Sequence, residues 1–470
     1  MLWKRPRIKI SEILIASELF VNKNIKISGW LTTIRKQGKN NLAFGTLNDG
    51  SCHKNIQLIF AKEYTNKLDL EIILEKSTTG VSIELEGKVV ESPAQGQDIE
   101  IQVYFCNILG SVDAKTYPMS KKRHGLEHLR KYEHLRIRTV VIKAVSKIRN
   151  ECAKSTHDFF QTLGFQYIHT PLLTANDCEG AGETFTVTTQ YPSTEKPTTI
   201  YKRKEFFGKP VNLTVSGQLH GESYACALGE IYTFGPTFRS ENSHTSRHLA
   251  EFWMIEPEVC FIELNDLMNL AESYLKYCIT SVLKNCKSEL QFLNGKFLDP
   301  LLISKLNDIK EKPFVRIAYT QAVKELQKSN KNFEEEPLWG IDLSSEHERY
   351  LAEEKYKCPV IVYNYPEEIK SFYMKKNENE KTVQAMDVLV PQIGEIIGGS
   401  MREDNYDILK EKMENKGITG LDWYLDLRKY GSIPHGGFGL GFERLVQLCT
   451  GMTNIRDVIP YPRYPKHCNC

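Results

Sequence analysis

Apolar and polar residues alternate with the two-residue period of a half-buried strand in several short runs of the N-terminal part of the chain. Residues 24–31, 42–47, 55–60, 82–90 and 99–103 read as strands, divided by a polar loop at 35–41 and the turn Asn48-Asp49-Gly50. From residue 139 the texture changes. Val141, Ala144, Val145, Ile148, Cys152, Phe159 and Phe160 predict a long helix over 140–163 with a broad apolar face. Strand-like runs and glycine-rich turns follow to the end, around a helix-rich stretch at 262–330.

These patterns predict an α+β chain. The short strands of residues 1–115 suit a five-stranded closed β-barrel such as an OB-fold, and equally a structural β-domain that binds nothing. Residues 116–138 form a basic hinge with Lys121, Lys122, Arg123, Arg130, Lys131, Arg136 and Arg138, and residues 139–470 make a larger second domain with the helical insertion. Composition narrows the function. Lys+Arg 61 against Asp+Glu 59 leaves a net charge of +2, so bulk charge does not hold this chain to nucleic acid and placed residues must. The 12 cysteines are scattered, without C-x-x-C pairs, too sparse for a disulfide-stapled secreted scaffold. No apolar run nears the roughly 18 residues of a membrane span, and no leader follows the basic start. The chain therefore reads as cytosolic.

Chemistry concentrates in three segments of the second domain. The first, Gly164-Phe165-Gln166-Tyr167-Ile168-His169-Thr170-Pro171, is a helix end, a strand and a closing proline. The second runs from Tyr232 through Phe238-Arg239-Ser240-Glu241 to Arg247-His248-Leu249-Ala250-Glu251-Phe252 and reads as a hairpin. Two guanidinium groups around its concave loop suit a triphosphate, because bidentate donors neutralise charge as it moves onto pyrophosphate. The third, Gly436-Gly437-Phe438-Gly439-Leu440-Gly441-Phe442-Glu443-Arg444, lacks the spacing of Rossmann and P-loop glycines. Its glycines would let backbone lie against a flat ligand, with Arg444 above it.

In this order and spacing the segments resemble motifs 1, 2 and 3 of the class II aminoacyl-tRNA synthetases. The N-terminal part resembles the anticodon-binding OB-fold of the aspartyl/asparaginyl/lysyl subgroup. Leu213-Thr214-Val215-Ser216-Gly217-Gln218, Asp342-Leu343-Ser344-Ser345-Glu346-His347-Glu348-Arg349-Tyr350 and Gly394-Glu395-Ile396-Ile397-Gly398-Gly399-Ser400 resemble the asparaginyl members in particular. The resemblance implies a class II catalytic domain, an antiparallel sheet flanked by helices, in a homodimer that uses ATP, L-asparagine and tRNA-Asn. It implies that Arg239 holds the α-phosphate, with Glu241 in the same nucleotide site. Arg247 and His248 would hold the outer phosphates, and Phe252 and Arg444 would sandwich the adenine. Asp387 and Glu395 would ligate Mg²⁺. The basic hinge, which includes the H-x-x-E-H run at His124–His128, reads as touching RNA phosphates rather than zinc.

Asparagine is preferred to aspartate on a few residues. Arg402 would donate to the substrate's side-chain oxygen in either case. Aspartyl enzymes resemble Gln218-Leu219-His220-Gly221-Glu222 but carry lysine where Gly221 stands. Glu222 is expected to accept from the asparagine amide, and to repel aspartate by about 4 kcal/mol at ~4 Å and an effective dielectric near 20. Glu179, among glycines, and Gln218 are candidates for the α-ammonium. On the barrel, Phe44 and Gln57 match positions that stack on and hydrogen-bond the middle anticodon base, with Arg35 beside them; Phe44 is either this platform or core.

Overall fold

Alternation decides which side of each N-terminal strand is buried. Strands β1 (Asn24–Gln37), β2 (Leu42–Asn48), β3 (Ile56–Ala61), β4 (Ser82–Glu91) and β5 (Ile99–Gly110) close into a barrel in the order β1-β2-β3-β5-β4. Ile25, Ile27, Leu31, Leu47, Leu58, Phe60, Ile83, Leu85, Ile101 and Val103 fill it. The computed structural model describes residues 7–37, 41–94, 96–119, 124–175, 184–189, 206–296, 299–378 and 381–470. Its two compact units are Met1–Lys147, joined by Cys470, and Ile148–Asn469. Two features of the first unit differ from the strand reading. β1 runs on to Gln37, so Arg35 lies in a strand rather than a loop and pairs with Phe44. Helix α1 (Lys67–Lys76), capped by the Asn66 side chain, buries Leu70, Ile73 and Leu74. The basic hinge is itself folded: helices Leu126–Arg130 and Glu133–Arg136 bury Leu129, Glu133 and Arg136.

The second unit is built on an eight-stranded sheet among the described residues. Its strands are β6 (Gln166–Tyr167), β7 (Glu230–Phe238), β8 (Glu251–Cys260), β9 (Val315–Ala318), β10 (Val360–Pro366), β11 (Thr382–Val390), β12 (Gly394–Met401) and β13 (His435–Gly441). They lie in the order β9-β10-β11-β12-β13-β8-β7-β6. The interior ladders are antiparallel, and only the edge pairs β9–β10 and β6–β7 are parallel. Helix α2 (Val140–Thr162) has the span its apolar period predicts. Phe160 stacks on Tyr232 of β7 at 4.9 Å and packs on Tyr274 of helix α4 (Leu264–Asn285) at 4.8 Å, once helix α3 (Gln218–Leu228) is passed. The helix-rich stretch at 262–330 supplies α4, Lys287–Lys296 and α5 (Leu302–Glu311), and its strand β9 extends the sheet.

Register brings the third motif against the second. β13 lies between β12 and β8, with Leu440 opposite Ile255 and Gly437 opposite Glu258. A side chain at Gly437 would overlap the Glu258 carboxylate, and a Cβ at Gly439 would come within 2.6 Å of the Met254 methyl. Glycine is needed there to leave room for the side chains of β8.

Candidate active site

Arg239 leaves the end of β7, Arg247 and His248 close the hairpin, Phe252 begins β8, and Arg444 stands in the first turn of α6 (Phe442–Thr450). The sheet gathers them with Glu241, Glu395, Gly439 and Gly441 around a cavity of ≈150 Å³. The Arg239 guanidinium sits 5.4 Å from the centroid of the Phe252 ring. Arg444 donates to the Glu395 backbone carbonyl at 2.6 Å and to its carboxylate at 3.3 Å. Arg247 donates to Ser345 Oγ at 2.7 Å and to the Ile393 carbonyl. His248 Nδ1 lies 2.9 Å from Ser243 Oγ and 2.6 Å from Thr245 Oγ1. Burial, despite the nearby Glu241, holds the His248 pKa below the usual histidine range. A neutral His248 offers its Nε2–H as a hydrogen-bond donor rather than a charge.

Asp387 on β11 and Glu395 on β12 approach one another across Gly398. A Cβ at that glycine would lie 2.9 Å from Glu395 Oε1 and 3.4 Å from Asp387 Oδ1. A third carboxylate, Glu348, accepts from the Glu395 backbone N–H at 3.1 Å. Burial, reinforced by the charges of Glu395 and Asp387, pushes Glu348 up to about 8. Burial also raises Asp387, although Lys370 Nζ stands 2.8 Å away. Glu395 is held low because Arg444 and Lys370 outweigh its burial. These are hard oxygen donors crowded enough to repel each other, which a divalent cation would relieve. That suits Mg²⁺, which takes one or two carboxylates and completes its octahedron with water and phosphate oxygens.

Arg239, Met254, Glu395 and Gly439 also line a second cavity of ≈550 Å³, so the two adjoin across these residues. Gln218, Arg402, Ser216, Tyr373 and Glu258 line it too. Arg402 donates through Nε and Nη2 to Glu258, the first at 3.2 Å, and through Nη1 to Ser400 at 2.8 Å. Further N–H groups remain on Nη1 and Nη2. Burial and the charge of Glu222 push Glu258 up to about 7 against the pull of Arg402. Glu256 accepts from Ser216 Oγ and from the Gly217 N–H at 3.0 Å, fixing the turn that presents Gln218.

Glu222, expected to accept from the asparagine amide, lies one layer behind the cavity lining. It is fully buried and does not line the cavity. Its carboxylate accepts from Gln218 Nε2 at 3.0 Å, Tyr424 Oη at 2.8 Å, Arg428 Nη2 at 2.8 Å and His435 Nε2 at 3.0 Å. Arg428, His435 and Arg402 outweigh burial and hold its pKa far below the usual carboxylate range. Arg428 and His435 stand beside it, and these four side chains already donate to it. Glu258, held by Arg402, is among the carboxylates that line the cavity, with Glu256, Glu348, Asp387 and Glu395. Glu258 and Glu348 escaped the sequence reading, although Glu348 lies in the run Asp342–Tyr350 that pointed to this site.

A model of class II tRNA synthetases (D, K and N) matches residues 126–465, and a model of the OB-fold nucleic acid binding domain matches residues 25–109. Asparagine–tRNA ligase of Treponema denticola is 52% identical, over 94% of this chain and 96% of its own. That of Cytophaga hutchinsonii is 52% identical over 98% and 99%. The chain belongs to the asparagine–tRNA ligase family. Among solved structures of such proteins, asparaginyl-tRNA synthetase from Pyrococcus horikoshii, complexed with asparaginyl-adenylate, superimposes with a TM-score of 0.86 at 31% identity. The match covers 99% of this chain and 100% of that one.

For this member of the asparagine–tRNA ligase family the barrel also presents its predicted residues together. Phe44 alternates with the buried Ala43 and Gly45 and points away from the core, half-buried, opposite Arg35. Gln57, opposite Thr46, lies on the same outer face. Phe44 is therefore not core. Glu179 lies outside the described residues.

Proposed function

We propose that the chain activates L-asparagine with ATP to asparaginyl-adenylate and pyrophosphate, then transfers the asparaginyl group to the 3′ end of tRNA-Asn. The observation that carries this reading is the adjacency of two cavities that share Arg239, one also lined by Arg247, Phe252 and Arg444, the other by Arg402 and Glu258. The substrate carboxylate is ionised at neutral pH, so adenylate formation needs no general base and rests on positioning and electrostatics. Phe252 and Arg444 hold the adenine from opposite faces. Arg247 and the His248 N–H take the outer phosphates. Arg239, which lines both cavities, sits where the carboxylate oxygen bonds to the α-phosphorus as the bond to pyrophosphate breaks. Asp387 and Glu395 would hold Mg²⁺, which when bound offsets charge on the phosphate oxygens. In the second cavity Gln218 gives its N–H to Glu222 and keeps its carbonyl oxygen for the α-ammonium. Arg402 donates to the asparagine side-chain oxygen while Glu258 accepts from its NH₂, a donor–acceptor pair that a carboxylate cannot match. Free thiols at the described cysteines support a reducing, cytoplasmic setting, and the motif 1 resemblance supports a homodimer.

ATP–pyrophosphate exchange with asparagine and aspartate supplied separately tests the reading. Exchange with asparagine alone is expected; exchange with aspartate at a comparable rate overturns the substrate. The pH dependence carries a sign. Glu258, pushed up to about 7, gains a proton as pH falls and then turns one oxygen from acceptor to donor, so KM for asparagine rises as pH falls through that value. A flat KM from pH 5.5 to 8 would take Glu258 out of amide recognition. On the barrel, Phe44→Ala removes a stacking platform worth ~1–3 kcal/mol and raises KM for tRNA while exchange is preserved. Unaltered tRNA kinetics would move the platform elsewhere.

A further inference from the structure

A second basic cavity, ≈530 Å³, opens behind the phosphate-binding arginines. Arg247 and Arg444 line both it and the nucleotide cavity, so the two share a wall of guanidinium groups. Arg349 and Lys305 add two more cations, Ser246, Ser345 and Thr453 add hydroxyls, and Asp299 is the one carboxylate among the described lining residues. Arg349 ends the helix Ser345–Arg349, and Lys305 stands on α5, in the stretch at 262–330 that otherwise has no chemical task. Lys305 Nζ lies 2.6 Å from Asp299 Oδ2, and both side chains keep contact with solvent. Burial, with the neighbouring charges of Arg444 and Arg349, lowers the proton affinity of Arg247 against the pull of Glu348. Cations crowded in this way make a chamber suited to a multiply charged phosphate.

We propose that this cavity receives the pyrophosphate released on adenylate formation, with Lys305 and Arg349 binding it beyond Arg247. The inference rests on the reading that Arg247 holds the outer phosphates of ATP. Pyrophosphate that has lost its bond to the α-phosphorus retains Arg247 as a partner on the shared wall. Arg247 and Arg444, common to both linings, keep it partnered as it moves toward Lys305 and Arg349. The insertion is thus a part of the site that sets how readily product leaves and how strongly it rebinds.

The test uses the full chain with Lys305→Met, Arg349→Met and Asp299→Asn, in ATP–pyrophosphate exchange with pyrophosphate varied at saturating ATP and asparagine. Each of the first two is expected to raise KM for pyrophosphate by ~5–10-fold, about the loss of one charge-assisted contact. Each also weakens pyrophosphate as a product inhibitor of aminoacylation. KM for asparagine, which general damage to the site would raise as well, stays within about twofold. Asp299→Asn frees Lys305 and lowers KM for pyrophosphate, an opposite sign that a folding defect would not give. An unchanged KM for pyrophosphate in all three overturns the proposal. A raised KM for tRNA with pyrophosphate unaffected overturns it too, and assigns the cavity to RNA phosphates. Absence of exchange in the unmodified protein would instead refute the reading of the nucleotide site.

Discussion

Arg239→Ala loses asparagine-dependent ATP–pyrophosphate exchange, with kcat/KM down by at least ~10²–10³-fold, while tRNA affinity in filter binding holds. Arg239 is among the few residues that line both the nucleotide and the amino-acid cavity. It therefore stands at the junction where the carboxylate and the α-phosphate must meet. The Phe252 ring, 5.4 Å from the guanidinium, backs it and restricts where it can lie. A planar guanidinium offers two parallel N–H groups to phosphate oxygens as charge builds on them, which a lysine ammonium does not reproduce. Arg239→Lys therefore recovers only part of the loss, and does so in kcat more than in KM for asparagine. Exchange within about threefold of the unmodified protein in Arg239→Ala would mean that no transition-state charge falls on this residue.

The second large effect is on stability. Glu222→Ala leaves the buried Arg428 and His435 without their shared carboxylate, at a cost of about 3–5 kcal/mol. The side chain is fully buried and takes hydrogen bonds from four residues on α3, the helix Asp422–Lys429 and β13. Its removal also frees Gln218 to rotate and unbalances Arg402, whose Nε lies 3.9 Å from Glu222. A lower urea midpoint is expected, together with a raised KM for asparagine. The asparagine-to-aspartate ratio moves less, because the groups that read the amide, Arg402 and Glu258, are still present. If instead stability fell by under 1 kcal/mol and aspartate became a substrate, Glu222 would be a direct reader of the side chain. Glu258→Gln supplies the contrast: it alters the ratio itself, since an amide in place of that acceptor can turn its own NH₂ toward the substrate.

Much of this was legible in the chain. The strand alternation marked five barrel strands because a period of two places every second residue on the buried side, and the core residues follow it from Ile25 to Val103. The apolar stripe of α2 gave its span to within one residue of its end. Arg239, Arg247 and Arg444 stood out in short runs and His248 and Phe252 followed from the family resemblance, and the five line one cavity. Helix α1 was missed because ten residues with mixed polarity leave a weak period, and its start depends on a single cap, Asn66. Arg35 was placed in a loop because its neighbours are polar, yet pairing with β2 supplies the hydrogen bonds that keep it in a strand.

Period marked the two kinds of domain, and the motifs carried the family resemblance and the arginines proposed to meet ATP, because these depend on residues close together in sequence. How the carboxylates near Arg402 are surrounded was not of that kind. Glu222 and Glu258 are 36 residues apart, and only the fold brings both near Arg402. Only the packing of α3 against β8 and β13 encloses the first among Arg428, His435 and Tyr424 and turns the second toward the cavity with Arg402. The energy of a carboxylate depends on the charges and the solvent around it in three dimensions, and sequence neighbours do not supply these.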